Sequence, residues 1–124
     1  MKNTKDNFFI DRIKSISYAI NGVVHLIKTE NSIKAQLFIG LLITILGFIY
    51  NISATEWIIQ IACIGIILTA ESLNTAIEKI ADFIHPDYHK KIGVIKDVAA
   101  GAVVFSAITS IIIGCIIYIP KFVA

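Results

Sequence analysis

The stretch WIIQIACIGIILTAESLNTAIEKIADFIHPDYHKK, residues 57–91, begins as an almost wholly apolar run and then acquires Glu71, Glu78 and Asp82. The uncharged run that opens this stretch covers only residues 57–70. Its 14 residues are too few to cross a bilayer core, which needs about 20. If this helix spans a membrane, it must therefore continue through Glu71. The carboxylates then lie at, or just inside, the membrane boundary.

Apolar runs on either side of this stretch complete a pattern of three spanning helices. The sequence is 56% hydrophobic with a mean hydropathy of +0.80, whereas soluble domains are about 45–50% apolar. The net charge of +2 gives no indication of nucleic-acid binding. We predict an all-α membrane protein that forms a single domain over residues 1–124, with spans at about 33–52, 57–84 and 96–119.

A fourth helix is predicted before the first span, over about residues 8–28. Its apolar side chains recur at steps of three or four, which is typical of an amphipathic helix lying in the membrane interface. The alternative is a soluble helix packed on another helix. The residues that form the apolar face are Phe9, Ile13, Ile16, Ile20, Val23 and Ile27.

The distribution of lysine and arginine predicts the orientation in the membrane. Six precede or open the first span, the connector 51–56 has none, four lie in the second connector region, and only Lys121 follows the third span. The N-terminus and second connector should be cytoplasmic and the C-terminus outside. The first six are Lys2, Lys5, Arg12, Lys14, Lys28 and Lys34.

At about 100° per residue, Glu71, Asn74, Glu78 and Asp82 fall within an arc of roughly 80° on one helix face. Such acids repel each other unless a cation joins them, and Mg²⁺ takes one or two carboxylates plus phosphate oxygens. Glu30, Lys96 and Asp97 should reach the same membrane depth. Charges at helix ends are ordinary, but an ionisable group inside a span, such as Glu71, is costly and usually functional.

Other classes of site have little support in the sequence. Neither GxxxxGK[ST] nor GxGxxG occurs, so no known nucleotide-binding loop is indicated. The two cysteines, Cys63 and Cys115, lie in apolar runs and suit buried thiols better than a disulfide or a metal site. Two non-enzymatic alternatives remain at this stage: a small cation channel or transporter subunit that uses the acidic face, and a structural assembly module.

The stretch ESLNTAIEKIADFIHPDYHKKIGVIKDVAAGAVV, residues 71–104, resembles the signature of the small prokaryotic diacylglycerol kinases, a family that includes undecaprenol kinases. The resemblance extends upstream to Tyr18, Gly22 and Glu30. It implies a homotrimeric lipid kinase with active sites shared between subunits, which uses ATP and Mg²⁺. Glu71 would be the general base, Asn74 would position groups around it, and Glu30 and Glu78 would hold the metal. The residues implied in ATP binding, besides Glu30 and Glu78, are Arg12, Tyr18, Asp87, Tyr88, His89, Lys96 and Asp97.

Two positions depart from the family pattern. The family's N-terminal arginine aligns with Asp11, and we expect the adjacent Arg12 to replace it. Gln36 stands where some members have an acid. For the substrate, diacylglycerol is the first expectation, giving phosphatidic acid, and undecaprenol is the alternative. The segment KDVAAGAV and the ending IPK favour the branch that contains undecaprenol kinases.

Overall fold

The computed structural model describes residues 7–124, and this part of the chain is entirely helical apart from short connections. The helices are α1 (Phe8–Thr29), α2 (Asn31–Ile49), α3 (Ala54–Ile84) and α4 (Lys90–Phe122). This confirms the predicted all-α class. The chain divides into two compact units, one that ends at Asn31 and one that comprises residues 32–124. Lys2 and Lys5, which entered the orientation argument, lie outside the described residues.

The helix α1 follows the predicted surface helix almost residue for residue. Asn7 caps its start, because its side-chain oxygen accepts a hydrogen bond from the Ile10 amide at 2.9 Å, as N-cap residues do. None of its residues is buried. The apolar stripe from Phe9 to Ile27 is thus left exposed, as an interfacial helix requires.

The turn between α2 and α3 is set by Asn51, which adopts a positive φ of 54°. The Ile52 amide bonds to the Gly47 carbonyl and the Asn51 amide to the Phe48 carbonyl, which together form a Schellman motif. This motif ends α2 at Ile49, three residues before the predicted end of the span. The hydropathy pattern continues to Ile52, but the backbone has already turned.

The helix α3 runs unbroken past Glu71 and Glu78, as the sequence predicts. Its start is fixed by a capping box, in which the Ser53 hydroxyl accepts from the Glu56 amide and the Glu56 carboxylate accepts from the Ser53 amide. It ends at Ile84, two residues before Pro86, which cannot continue a helix. The acidic residues are therefore positioned by a single rigid element.

The helix α4 is longer than the predicted span of 96–119. His89 caps it, since its Nδ1 accepts a hydrogen bond from the Lys91 amide at 3.1 Å. The helix therefore begins at Lys90, six residues before the expected start, and Lys96 and Asp97 lie within it. Hydropathy placed the boundary at the last charge, whereas capping extends the helix into the polar region.

Packing in the second unit joins α2, α3 and α4 as neighbours of alternating direction. Going along α3, Glu56 meets Lys121, Gln60 meets Tyr118 and Asp82 meets Lys96. The descending order in α4 shows that the two helices are antiparallel. All three helices are long and apolar enough to cross a membrane, and few of their residues are buried within the chain. Most of their apolar surface is thus left for lipid or for other subunits.

Candidate active site

The four predicted polar residues of α3 lie on one side of a continuous helix. Their spacing of three, four and four residues brings successive side chains over one another along this face. Because α3 is unbroken from Ala54 to Ile84, the geometry expected from the sequence is present. Its members, in order toward the end of α3, are Glu71, Asn74, Glu78 and Asp82.

Glu71 is the most buried acid of this face, with only 8% of its surface exposed. Among residues 7–124 its carboxylate forms no hydrogen bond or ion pair. Thr75, one turn further along, is also buried. An ionisable side chain held inside a candidate membrane span is costly and is usually retained for function. A carboxylate without a fixed partner remains able to accept a proton from a ligand.

Asn74 and Glu78 are directly bonded. The Asn74 amide nitrogen donates to Oε1 of Glu78 at 3.0 Å, which fixes the rotamers of both side chains. The other amide atom, Oδ1 of Asn74, is buried and has no hydrogen-bond partner within the described part of the chain. A buried acceptor without a partner is unfavourable. The Asn74 oxygen is therefore suited to accept a hydrogen bond from a bound ligand or to coordinate a cation.

These oxygens fit a magnesium ion by chemistry. Mg²⁺ prefers hard oxygen ligands and needs only one or two carboxylates when phosphate oxygens complete its shell. Glu78 supplies a carboxylate, and the orphaned Asn74 oxygen lies beside it. Residues 7–124 contain no group of three or more His, Cys, Asp or Glu side chains placed to hold a metal ion. The predicted pair, Glu30 and Glu78, belongs to two different units, so its sharing of a metal remains a prediction.

An ion pair closes the polar end of α3 against α4. Lys96 donates to the Asp82 carboxylate, and both side chains are partly exposed. The pair brings together two residues that the sequence placed at one membrane depth. Asp97, the next residue of α4, is exposed. This end of the α3–α4 hairpin therefore offers both signs of charge at its surface.

The connector between α3 and α4 is ordered by its histidines. His85 Nδ1 lies 2.7 Å from the Asp87 carbonyl oxygen, and the His85 and His89 rings are 5.3 Å apart. Tyr88, in the same connector, is almost fully exposed. The predicted nucleotide contacts Asp87, Tyr88 and His89 are thus close in space, and they are accessible to a water-soluble ligand.

The remaining predicted contacts lie in the first unit. Arg12 reaches the neighbouring Asp11, with Nη2 at 3.7 Å from Oδ2, and its guanidinium lies 5.8 Å from the centroid of the Phe8 ring. Tyr18 is exposed, and Glu30 caps the end of α1 with an extended backbone. Asp11 occupies the position that aligns with the family's arginine. Arg12 is the next residue, and it forms an ion pair with Asp11.

Sequence reasoning missed a buried polar group at the opposite end of the helices. The Gln60 amide donates to the Ile43 carbonyl at 3.3 Å, and the Tyr118 hydroxyl bonds to the Gln60 side-chain oxygen. Gln60 and Tyr118 are 4% and 5% exposed. A signal was present, because Gln60 is the one polar amide in the run WIIQIACIGIIL, and such groups bond across helices in membranes.

Known proteins resemble this chain over most of its length. Residues 17–118 match the family described as prokaryotic diacylglycerol kinase. The chain belongs to that family. It is 36% identical over 120 residues to an undecaprenol kinase of Bacillus subtilis, covering 97% of this chain and 94% of that protein.

Other relatives of this lipid kinase are named for a different lipid. It is 28% identical over 107 residues to a diacylglycerol kinase of Synechocystis, with 86% of this chain and 61% of that protein covered. It is 27% identical over 105 residues to the diacylglycerol kinase of Escherichia coli K12, with 85% and 86% covered. The predicted lipid kinase class is confirmed, and ATP is the phosphoryl donor that a kinase implies. The channel and assembly alternatives are set aside.

Proposed function

We propose that this lipid kinase phosphorylates undecaprenol, giving ADP and undecaprenyl phosphate. The support is the 36% identity to an undecaprenol kinase across nearly the whole chain, against 27–28% for the diacylglycerol kinases. The comparisons thus favour what the sequence analysis held as the alternative. Phosphorylation of diacylglycerol to phosphatidic acid is the second candidate, since the other relatives carry that name.

The observation that carries the mechanism is the unpartnered carboxylate of the buried residue Glu71, beside Asn74 and Glu78. Glu71 acts as the general base and accepts the proton of the lipid hydroxyl. The hydroxyl oxygen forms a bond to the γ-phosphorus of ATP while the bond to the β,γ-bridging oxygen breaks, and ADP leaves. Glu71 then returns its proton to water. Asn74 keeps Glu78 in place through its amide.

Charge neutralisation at the phosphates completes this mechanism, because phosphoryl transfer depends mainly on positioning and electrostatics. Glu30 and Glu78 would hold Mg²⁺, which would supply positive charge to offset the negative charge that develops on the phosphates. Lys96 contributes a further positive charge, and Asp97 orients the nucleotide. The remaining ATP contacts in this proposal are Arg12, Tyr18, Asp87, Tyr88 and His89.

The position of the base suits a substrate that stays in the bilayer. Removing a lipid tail from hydrocarbon costs about 0.8 kcal/mol per CH₂, so ATP must come to the lipid. A base on a span close to its cytoplasmic end satisfies this requirement. We place the N-terminus and the α3–α4 connector in the cytoplasm, with the protein in the bacterial inner membrane.

We further propose a homotrimer with active sites shared between subunits. Each of the three candidate spans leaves most of its apolar surface uncovered within one chain, and a small three-helix subunit encloses little volume. Mixing Glu30→Gln subunits with Glu71→Gln subunits should restore activity if the two residues act across a subunit boundary. Inactive mixtures, with co-assembly verified by cross-linking, would contradict the shared site.

The substrate is tested with purified protein in mixed micelles that contain equal surface fractions of undecaprenol or diacylglycerol. With ATP labelled at the γ-phosphate, we expect kcat/KM to be at least about tenfold higher for undecaprenol, a difference of about 1.4 kcal/mol. The opposite ratio would establish the second candidate. Transfer to neither lipid would refute both proposed substrates.

A further inference from the structure

A cavity of about 320 Å³ lies between α2, α3 and α4, on the side of Glu71 away from the polar connector. Its walls are mainly isoleucines, with the small residues Gly40, Ala107 and Gly114 providing room. Its volume is within the range of about 300–1,000 Å³ found for small-molecule sites. The wall residues of α3 are Gln60, Cys63, Ile64 and Ile67.

The cavity continues the face of α3 that carries the catalytic residues. Gln60, Ile64, Ile67 and Glu71 follow one another at spacings of four, three and four residues, so they line one side of the helix. At about 1.5 Å per residue, Ile67 lies about 6 Å below Glu71 along the axis, and Gln60 about 16 Å below. A molecule extending from Glu71 along this face therefore enters the cavity.

A polar cluster marks the far end of the cavity. Gln60 bonds to the Ile43 carbonyl and receives the Tyr118 hydroxyl, and Ile43 and Gln60 both line the wall. Because these groups satisfy one another, the far end needs no polar ligand. The space above it offers almost only hydrocarbon contacts.

The shape and lining of the cavity suit a hydrocarbon chain. The cavity extends over about 10 Å of helix length, from Gln60 to Ile67, and its volume of about 320 Å³ accommodates a chain of this length. Its lining residues are largely apolar, and the end nearer Glu71 is where the hydroxyl of a lipid alcohol would lie. A hydrocarbon chain attached to that hydroxyl therefore fits the cavity.

We propose that this cavity holds the hydrocarbon tail of the lipid alcohol whose hydroxyl lies at Glu71. The inference rests on the proposed function and adds a tail site to it. Gln36 of α2 is one of the lining residues, and it supplies a polar group on the cavity wall. The tail site makes chain length a determinant of affinity, because each added carbon along the cavity buries more apolar surface.

Gly114 provides the test by substitution. It lines the cavity, and a Cβ at this position would meet no atom within 4 Å, so Gly114→Leu adds bulk at the cavity wall. Tyr118 and Gln60 are bonded to each other. Gly114 lies four residues from Tyr118 and Ile64 lies four residues from Gln60, so Gly114 and Ile64 are at about the same depth. This depth is about 10 Å below Glu71 along the helix axis. A five-carbon prenol is too short to reach it.

We expect Gly114→Leu to raise KM for undecaprenol at least about tenfold, while KM for ATP and kcat/KM for the five-carbon prenol stay unchanged. Ile116→Phe is the matched control, because it adds bulk to α4 at a side chain that is 68% exposed. Its kinetics should match those of the unaltered protein. An unchanged KM for undecaprenol in Gly114→Leu, or an equal rise in the control, would overturn the proposal.

A second measurement needs neither turnover nor a stable variant. Undecaprenol that carries a diazirine in its third or fourth isoprene unit is irradiated with the unaltered protein in micelles without ATP, and the labelled residues are mapped by mass spectrometry. We expect label at Ile64, Ile67 or Ile111. Label only on outward residues such as Ile116 would overturn the tail site. Label in the cavity of a protein that does not phosphorylate undecaprenol when ATP is supplied would refute the proposed function and leave the tail site standing.

Discussion

Glu71 lies four residues beyond Ile67, and this single position joins an apolar face of α3 to a polar one. The residue is 8% exposed, and its carboxylate has no partner among residues 7–124, although a charge inside a membrane span is unfavourable. Asn74 is in a related position, since one amide atom is bonded to Glu78 and the other is buried and unpaired. Polar groups without a partner on neighbouring turns are suited to a bound ligand.

We predict that Glu71→Gln lowers kcat about 10²–10⁴-fold, the usual contribution of a general base, because the amide cannot accept the proton. ATP binding, measured with a fluorescent analogue, should change little. Glu56→Gln is the matched control, with the same substitution at the opposite end of α3, where Glu56 pairs with Lys121 at 3.0 Å. A Glu71→Gln protein with the turnover of the control would refute the base assignment.

The metal assignment predicts non-additive effects of two substitutions. Glu30→Gln and Glu78→Gln should each raise the Mg²⁺ concentration for half-maximal activity at least about tenfold, since each removes a carboxylate ligand. If both hold one ion, the double variant should require little more Mg²⁺ than either single variant, because residues of one site are coupled. If the two increases in the required Mg²⁺ concentration simply multiply in the double variant, Glu30 does not belong to the metal site of Glu78.

At the scale of elements, the α2–α3 hairpin is fixed by a close contact at its turn. A Cβ on Gly47 would lie 2.6 Å from Cη2 of Trp57 and 3.1 Å from Cδ1 of Ile52. The indole has little room to move, because the Phe48 ring packs against it with centroids 4.9 Å apart. Gly47 is therefore required by packing, and Asn51 by its positive φ.

Gly47→Ala should destabilise the protein by about 1–3 kcal/mol, the usual effect of overpacking, although alanine favours helix. The measurement is thermal unfolding in detergent. Gly22→Ala is the control, since a Cβ there meets nothing within 4 Å, and its melting temperature should hold or rise. A Gly47→Ala protein as stable as this control would show that Trp57 moves aside freely.

At the scale of the whole molecule, three helices meet at one buried polar cluster. Ile43 of α2, Gln60 of α3 and Tyr118 of α4 bond to each other, and the ion pair of Glu56 with Lys121 lies one turn nearer the end of the bundle. Ile52, Ile117 and Tyr118 form the apolar core beside it. These contacts hold the three helices together at the end of the bundle opposite to Glu71.

Tyr118→Phe should destabilise the unit by about 0.6 kcal/mol, the average for hydrogen bonds between membrane helices, and by no more than about 1.7 kcal/mol, the largest value, because Gln60 loses its donor. Adding Gln60→Leu should recover part of this loss, since no unpaired oxygen then remains. Tyr50→Phe is the control, as its hydroxyl has no hydrogen bond with residues 7–124. Equal losses for the two tyrosines in thermal unfolding would contradict the cluster's role.

The sequence by itself determined the helical class, the three long apolar helices and the polar face of α3. These follow from hydropathy, helical period and Pro86, all of which act within about 20 residues. The motif from Glu71 to Asp97 also determined the enzyme class. Helix ends were less predictable, because the Asn51 turn and the His89 cap depend on backbone geometry that hydropathy does not register.

Only the tertiary structure decided which distant residues meet. The pairing of Asp82 with Lys96, the cluster at Gln60 and the cavity below Glu71 depend on the register between α3 and its neighbours. That register is set by close packing around residues such as Gly47 and Tyr118, and a pattern along one helix contains no information about the partner's phase. The sequence thus identified the polar face of α3, and packing determined the space beneath it.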